Sequence, residues 1–308
     1  MRIVVMGSGG LGGYFGGLLA RSGADVTFVA RGAHLQALQE RGLTVRSVNG
    51  DFYVAVQARA ALQGQLAADV VLFCVKTYDA AAAAALLQPV IAAHTVVLTL
   101  QNGVDMAADL QASFGRGTVL AGVTRIGATL VEPGVIEQPT SYRLIECGSL
   151  LGHAEAEIER VLTLCRSADI PVQVAPHIQS SLWEKLVYIA PFSGLSTLTR
   201  LTPAQLLAHE ATRTLYRAVM QETALVAQAV AGVAPEIVER TMHFLDTSGD
   251  PGDSSMAVDF QRQRRIEVEA INGAVVRHGQ RVQIPTPYNA MIYQALTVMD
   301  RYNRQDGR

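Results

Sequence analysis

The sequence predicts an α/β protein in two parts: a parallel sheet covered by helices on both faces, then an all-helical region. Three observations predict it. Near-continuous apolar runs of strand length alternate with helical patterns through the first half of the chain. A glycine-rich turn joins the first of these runs to the first helical pattern. Beyond IPVQVAPHIQ the strand-length runs stop and long helical periodicities take over. That change puts a domain boundary near Pro176, with residues 1–176 and 177–308 as the two domains.

Each element has its own local reason. RIVVMG is a short apolar run closed by glycine, and GLGGYFGGLLARSG follows at helical spacing and stops at Gly23. ADVTFVAR reads as a second strand, ADVVLFCVK as a third that ends at Lys76, and TVVLTLQNG as a fourth. The alanine run at 80–85, between the third and fourth, suits a helix. AGVTRIGATLVEPGVIEQP holds β-rich runs around the turn EPG, which predicts a hairpin near the sheet edge. In the helical half, SLWE fits a capping box with Ser181 as N-cap and Glu184 three residues on. TPAQ at Thr202 and TPYN at Thr286 each set a threonine N-cap before a proline at the first helical position.

Composition removes several function classes. Hydrophobic residues make up 49% of the 308 and charged residues 17%, enough apolar material for a large core. A formal net charge of −2 argues against nucleic acid, whose binding needs a basic face. Cys74, Cys147 and Cys165 are widely spaced and odd in number, which fits free thiols in a reducing, cytoplasmic compartment. No Cys/His cluster has zinc spacing, so no metal is expected. Seven glycines interrupt Met1–Arg21, unlike a signal peptide. The uncharged stretch 80–104 carries Gln88, Pro89 and His94 in its middle, and reads as a helix and a buried strand, not a membrane span.

Gly7, Ser8, Gly9, Gly10, Leu11 and Gly12 form a G-x-G-x-x-G pattern. Its context makes it specific: it follows a strand at the N-terminus and opens a helix. Gly7 permits the tight turn, Gly9 lets backbone approach a pyrophosphate, and Gly12 lets helix and strand pack closely, as in a Rossmann dinucleotide-binding domain. The second strand ends at Arg31, where an NAD-binding chain usually has an acidic residue for the ribose hydroxyls. An arginine there suits a 2′-phosphate, which points to NADP. Lys76, at the end of the third strand, adds a second cation on the same edge.

GSGGLGGYFGGLL, CVKTYD, LQNGVD, WEKL, DSSMAVDFQRQRRIEVEAINGAVV and IPTPYN occur in an order that resembles the 2-dehydropantoate 2-reductase (ketopantoate reductase) family, from Met1 to about Tyr293. The resemblance implies an NADPH-dependent reduction of ketopantoate to pantoate, a step of pantothenate biosynthesis. It implies Lys185 as proton donor, Asn102 near both nicotinamide and substrate, and Ser255 as a ligand of the substrate carboxylate. It further implies Glu267 as a cofactor contact that supports the lysine, and Ala128 as a backbone contact to the cofactor. The implied partner is a small 2-keto acid, with a homodimer left open.

A lysine ammonium suits this chemistry, since it can bond a carbonyl oxygen, stabilise the negative charge developing there and then protonate it. With Ser181 as N-cap, Lys185 falls near the first helical turn, where the dipole disfavours a cation and eases proton release. Two positions depart from the family pattern. Asparagines four and eight residues after the lysine are replaced by Ile189, which offers no hydrogen bond, and Ser193, which is shorter but retained as a substrate contact. Pro191 between them is expected to remove a helical hydrogen bond and kink the helix. These departures admit another branched 2-keto acid as substrate, and a non-catalytic NADP(H)-binding regulator is a reading of a different class. His94, His153, His177 and His278 show no partner spacing, Trp183 reads as core, and RQRRIEVE reads as a solvated basic face with Glu267 turned inward.

Overall fold

The structure, a computed structural model, describes residues 1–248 and 252–305. The chain forms two compact units. The first contains Met1–Gln101 and Met106–Ile178; the second contains the short segment Asn102–Asp105 together with the chain from Gln179 onward.

In the first unit, β1 (Arg2–Met6), α1 (Gly10–Arg21), β2 (Asp25–Val29), α2 (Gly32–Arg41), β3 (Leu43–Ser47), β4 (Phe52–Val54) and β5 (Gln57–Arg59) follow one another. Then come β6 (Val70–Phe73), α3 (Ala80–Leu87), β7 (Val96–Thr99), α4 (Met106–Phe114) and β8 (Thr118–Thr124). The unit closes with β9 (Thr129–Glu132), β10 (Val135–Gln138), β11 (Ile145–Gly148), α5 (Glu155–Ser167) and β12 (Val172–Val174). The large sheet has the order β12-β11-β8-β7-β6-β1-β2-β5. Its six strands from β5 to β8 are parallel, and β11 pairs antiparallel with β8. Read outward from β1, the six run in the doubly wound order of dinucleotide-binding domains, with the reversal between β1 and β6. All four residues of both β6 and β7 are buried, because a sheet covered on both faces leaves no side for polar alternation.

The EPG turn does form an antiparallel hairpin, β9 with β10. The hairpin is not part of the large sheet, however. It joins β3 and β4 in a separate sheet of order β4-β3-β10-β9. The parallel pairing of β10 with β3 spans some ninety residues, as in Ile136 with Val45, so no local pattern could have located it. Gly134 supplies the turn at φ +86°, and a Cβ there would come 3.2 Å from that of Ala37 in α2.

The second unit is helical among its described residues: α6 (Ile178–Thr199), α7 (Pro203–Ala208), α8 (Glu210–Ala231), α9 (Ile237–Thr247), α10 (Ser255–Gln261), α11 (Asn272–Arg281) and α12 (Pro287–Gln305). Thr202 caps α7 with a full capping box to Gln205, as its sequence predicts. Helix α6 begins at Ile178, so Ser181 lies inside it and is not its N-cap. Ile178 is buried, and burial of this apolar residue extends the helix past the polar signal. The helix also continues through Pro191 to Thr199. Packing of Leu186, Val187, Ala190 and Leu195 in the core outweighs the one missing backbone bond. Among the described residues no helix is long and apolar enough to cross a membrane.

A buried polar chain ties four of these helices together. Glu222 of α8, 7% exposed, accepts the backbone N–H groups of Tyr288 and Asn289 at 2.9 Å each, satisfying the first turn of α12. Asn289 donates to Glu222 through its amide as well, and Asn272 of α11 donates both to Asn289 Oδ1 and to the Ala190 carbonyl of α6.

Candidate functional site

In the first unit the glycine turn joins β1 to α1, where the strand order reverses. Gly7 has φ +95°, and a Cβ there would meet Val75 N at 2.7 Å. A Cβ on Gly12 would lie 2.1 Å from the Gly7 carbonyl oxygen, so only glycine lets α1 start this close to the strand. Gly10 presses on Ala128, whose carbonyl oxygen would be 2.0 Å from an added Cβ. Gly9 differs: a Cβ there would have nothing within 4 Å. The first turn of α1 has neither a side-chain cap nor an acidic residue. An open backbone edge at an uncapped helix start offers N–H groups to an anion, so these residues fit the pyrophosphate of a dinucleotide.

The cations follow β2 and β6, the two strands that flank β1. Arg31 follows β2, is exposed, and donates to Asp79 Oδ2 at 2.8 Å. Lys76 follows β6 and precedes a short 3-10 turn over Thr77–Asp79. Cys74 packs beside Gly12, and burial pushes its thiol up to about 12; burial also takes Cys165 to about 12 and Cys147 to about 11. The three cysteines are free, and burial holds them as thiols rather than thiolates.

In the second unit α6 carries Lys185, Ile189 and Ser193 at four-residue intervals, hence on one face. Lys185 is half-buried about two turns into the helix, beyond the reach of the N-terminal dipole that an N-cap at Ser181 implied. Its neighbour Glu184 is held by Arg240 of α9 at 2.8 Å. Ile189 belongs to the helical core, and Ser193 is buried, with its carbonyl accepting from Thr197 Oγ1. Glu267 lies in the turn between α10 and α11 at 5% exposure, while Arg262, Arg264 and Arg265 before it are exposed. Asn102 Nδ2 donates to Glu267 Oε2 at 3.4 Å, a long bond that brings together two predicted residues 165 positions apart. Ser255 is the exposed first residue of α10; its neighbour Ser254 is buried and caps that helix by accepting from Ala257 N.

Sequence reasoning missed what holds Asn102. Three residues on, Asp105 accepts from Arg277 at 3.1 Å and pairs with His278 Nε2 at 2.7 Å. The His278 ring also meets buried Trp183 edge to face, with centroids 5.1 Å apart. Thus His278 does have a partner, and the separation of 173 residues is why spacing could not reveal it. Burial acts to raise the Asp105 pKa, but His278 and Arg277 more than offset it and hold the carboxyl below its ordinary range. Gly103 completes the tether at φ +93°, where a Cβ would meet the Ala270 carbonyl oxygen at 2.9 Å. His34 was missed as well. It bonds the Ser8 carbonyl through Nε2 at 2.8 Å and accepts from Gly134 N through Nδ1 at 3.0 Å.

Comparison with known proteins accounts for both units. Residues 3–151 match the model described as ketopantoate reductase PanE/ApbA, and residues 177–300 match its C-terminal counterpart. The chain is 32% identical to the 2-dehydropantoate 2-reductase of Mesorhizobium japonicum, over 93% of this chain and 94% of that one. It is 31% identical to the enzyme of the same name from Halobacterium salinarum, over the whole of both. The crystal structure of 2-dehydropantoate 2-reductase from Geobacter metallireducens superposes with a TM-score of 0.90 at 30% identity, covering 100% of each chain. Full-length similarity to oxidoreductases leaves a non-catalytic regulator without support.

Proposed function

The chain belongs to the ketopantoate reductase family of nicotinamide-dependent oxidoreductases, and from that premise we propose that it reduces 2-dehydropantoate to pantoate with NADPH, serving pantothenate biosynthesis. The observation that carries the assignment of roles is the buried Glu267 carboxylate beside Asn102. A carboxylate taken out of water needs polar partners, and here its partner is an amide from the turn after β7.

In this reading the backbone of Gly7–Gly12 holds the pyrophosphate, Ala128 borders it, and Arg31 and Lys76 grip the 2′-phosphate. When bound, the reduced nicotinamide supplies the hydride for the keto carbon. Lys185 donates a hydrogen bond to the keto oxygen, stabilises its growing negative charge and gives up a proton to it. Glu267 keeps the amine oriented and Asn102 in place. Ser255 receives the substrate carboxylate, and Ser193 contributes a hydroxyl on the lysine face of α6. The lysine then regains its proton from solvent, so one hydride and one proton convert the ketone to the alcohol.

The test is ketopantoate-dependent oxidation of NADPH, followed by absorbance, with NADH in parallel. Turnover with both reactants present and a lower KM for NADPH than for NADH is the expected result. No ketopantoate-dependent oxidation of either cofactor overturns the substrate assignment; equal use of the two overturns the role of Arg31 and Lys76.

A further inference from the structure

The geometry points to His34 as a positioning residue for the dinucleotide: its Nε2–H captures the Ser8 carbonyl and thereby aims the next backbone N–H, that of Gly9, at the bound pyrophosphate. The inference rests on the dinucleotide reading of the glycine turn.

The tautomer follows from the partners. The backbone N–H of Gly134 can only donate, so Nδ1 at 3.0 Å must accept and carries no proton. The ring proton is then on Nε2, which donates to the Ser8 carbonyl at 2.8 Å. Both ring nitrogens are used, and one neutral form satisfies both. Burial favours that neutral form and lowers the pKa, although the bond to Ser8 opposes it.

The consequence lies in the peptide that follows. In a trans peptide the C=O and the next N–H point in opposite directions. Turning the Ser8 carbonyl towards α2 therefore turns the Gly9 N–H away from it. Gly9 is the member of the turn around which an added Cβ would meet no atom within 4 Å. Ser8 itself is buried, with its hydroxyl near the Val29 carbonyl at 3.4 Å, so the peptide is held from both ends. His34 is anchored in turn. It rides on α2 three residues after Arg31, and Gly134 packs so closely on Ala37 of the same helix that the hairpin acts as a fixed stop.

Two substitutions separate the bonds. His34→Asn offers an acceptor near the Nδ1 position and keeps Gly134, but it cannot reach Ser8. His34→Gln extends a donor to the Nε2 position and keeps Ser8. Fluorescence titration should give a Kd for NADPH and for NADH raised about five- to tenfold in His34→Asn, the scale of one lost hydrogen bond. In His34→Gln both should stay within about twofold, and kcat at saturating cofactor should be unchanged in each. Equal binding by the two variants, or a loss confined to NADPH, overturns the inference, the latter because it would mean that His34 acts through Arg31. A readout free of substitution is the imidazole nitrogen NMR spectrum of the unaltered protein, where an Nδ1–H tautomer would overturn it as well. Should the unaltered protein prefer NADH, the NADP assignment falls, while the titrations with NADH still decide the role of His34.

Discussion

The two units assemble their candidate site residues in opposite ways. The first builds its candidate binding edge from six consecutive residues, Gly7 to Gly12, and uses backbone where side chains are excluded by contacts of 2.0–2.8 Å at Gly7, Gly10 and Gly12. The second brings Asn102 to Glu267 from 165 positions away and depends on side chains, one of them a buried carboxylate. A backbone site fails by collision when a methyl group is added. A side-chain site fails when one polar partner is withdrawn. The comparison therefore predicts that equally small substitutions will act on different measured quantities in the two units.

The largest effect is expected at Lys185. Lys185→Ala should lower kcat by about 10²-fold or more, the scale of a positioned general acid, and leave the NADPH Kd near that of the parent. Retention of most activity would return the residue to an ordinary half-buried lysine. Next comes the collision in the first unit. Gly12→Ala sets a methyl 2.1 Å from the Gly7 carbonyl oxygen, and backbone cannot yield as a side-chain tip can. It should cost about 1–3 kcal/mol of stability and weaken the binding of both NADPH and NADH, seen in thermal melts and titrations. An unaltered melting profile would mean that α1 is freer than its packing indicates.

Withdrawal of Glu222 should act on stability alone. Glu222→Ala leaves the N–H groups of Tyr288 and Asn289 without their acceptor, that of Asn289 buried, a loss of about 2–4 kcal/mol in denaturant unfolding, with KM for NADPH unchanged. Asp105 gives a pH signature. Its folded pKa is depressed, so its contribution is present above the ordinary carboxylate range and is lost as pH falls through the folded value. Asp105→Asn should therefore flatten the acid limb of stability against pH while losing about 1 kcal/mol at neutrality. An acid limb identical to that of the parent would show that His278 and Arg277 do not hold this carboxylate. The smallest effect is expected at Arg31, whose side chain is 88% exposed and already shares its charge with Asp79. Arg31→Ala should raise KM for NADPH a few-fold, in keeping with a screened contact, and leave NADH nearly unchanged. A change for both cofactors alike would move the residue's role away from the 2′-phosphate.

What could be read from the sequence was whatever is written in neighbouring residues. The turn from Gly7 to Gly12 is legible because its steric requirement admits one residue type at fixed spacing. The apolar runs at β1, β2, β6 and β7 are legible because strands buried on both faces leave no polar alternation. The capping box at Thr202 is legible because both of its bonds close within four residues. The ordered motifs further identified the family and, through it, nominated Lys185, Asn102, Ser255 and Glu267.

Only the tertiary structure decided the rest, wherever a free-energy term depends on contacts made across the chain. Ser181 carries a good capping signal, yet α6 starts at Ile178, because burying that apolar residue outweighs a local cap. The EPG hairpin was visible but its sheet was not, since β10 pairs with a strand ninety residues away. His278 looked solitary in sequence and His34 drew no notice, yet the fold gives His278 a bond to Asp105 and a ring contact with Trp183, and gives His34 bonds to Ser8 and Gly134. A histidine's role is set by what faces its two ring nitrogens, and the fold alone brings those partners to it.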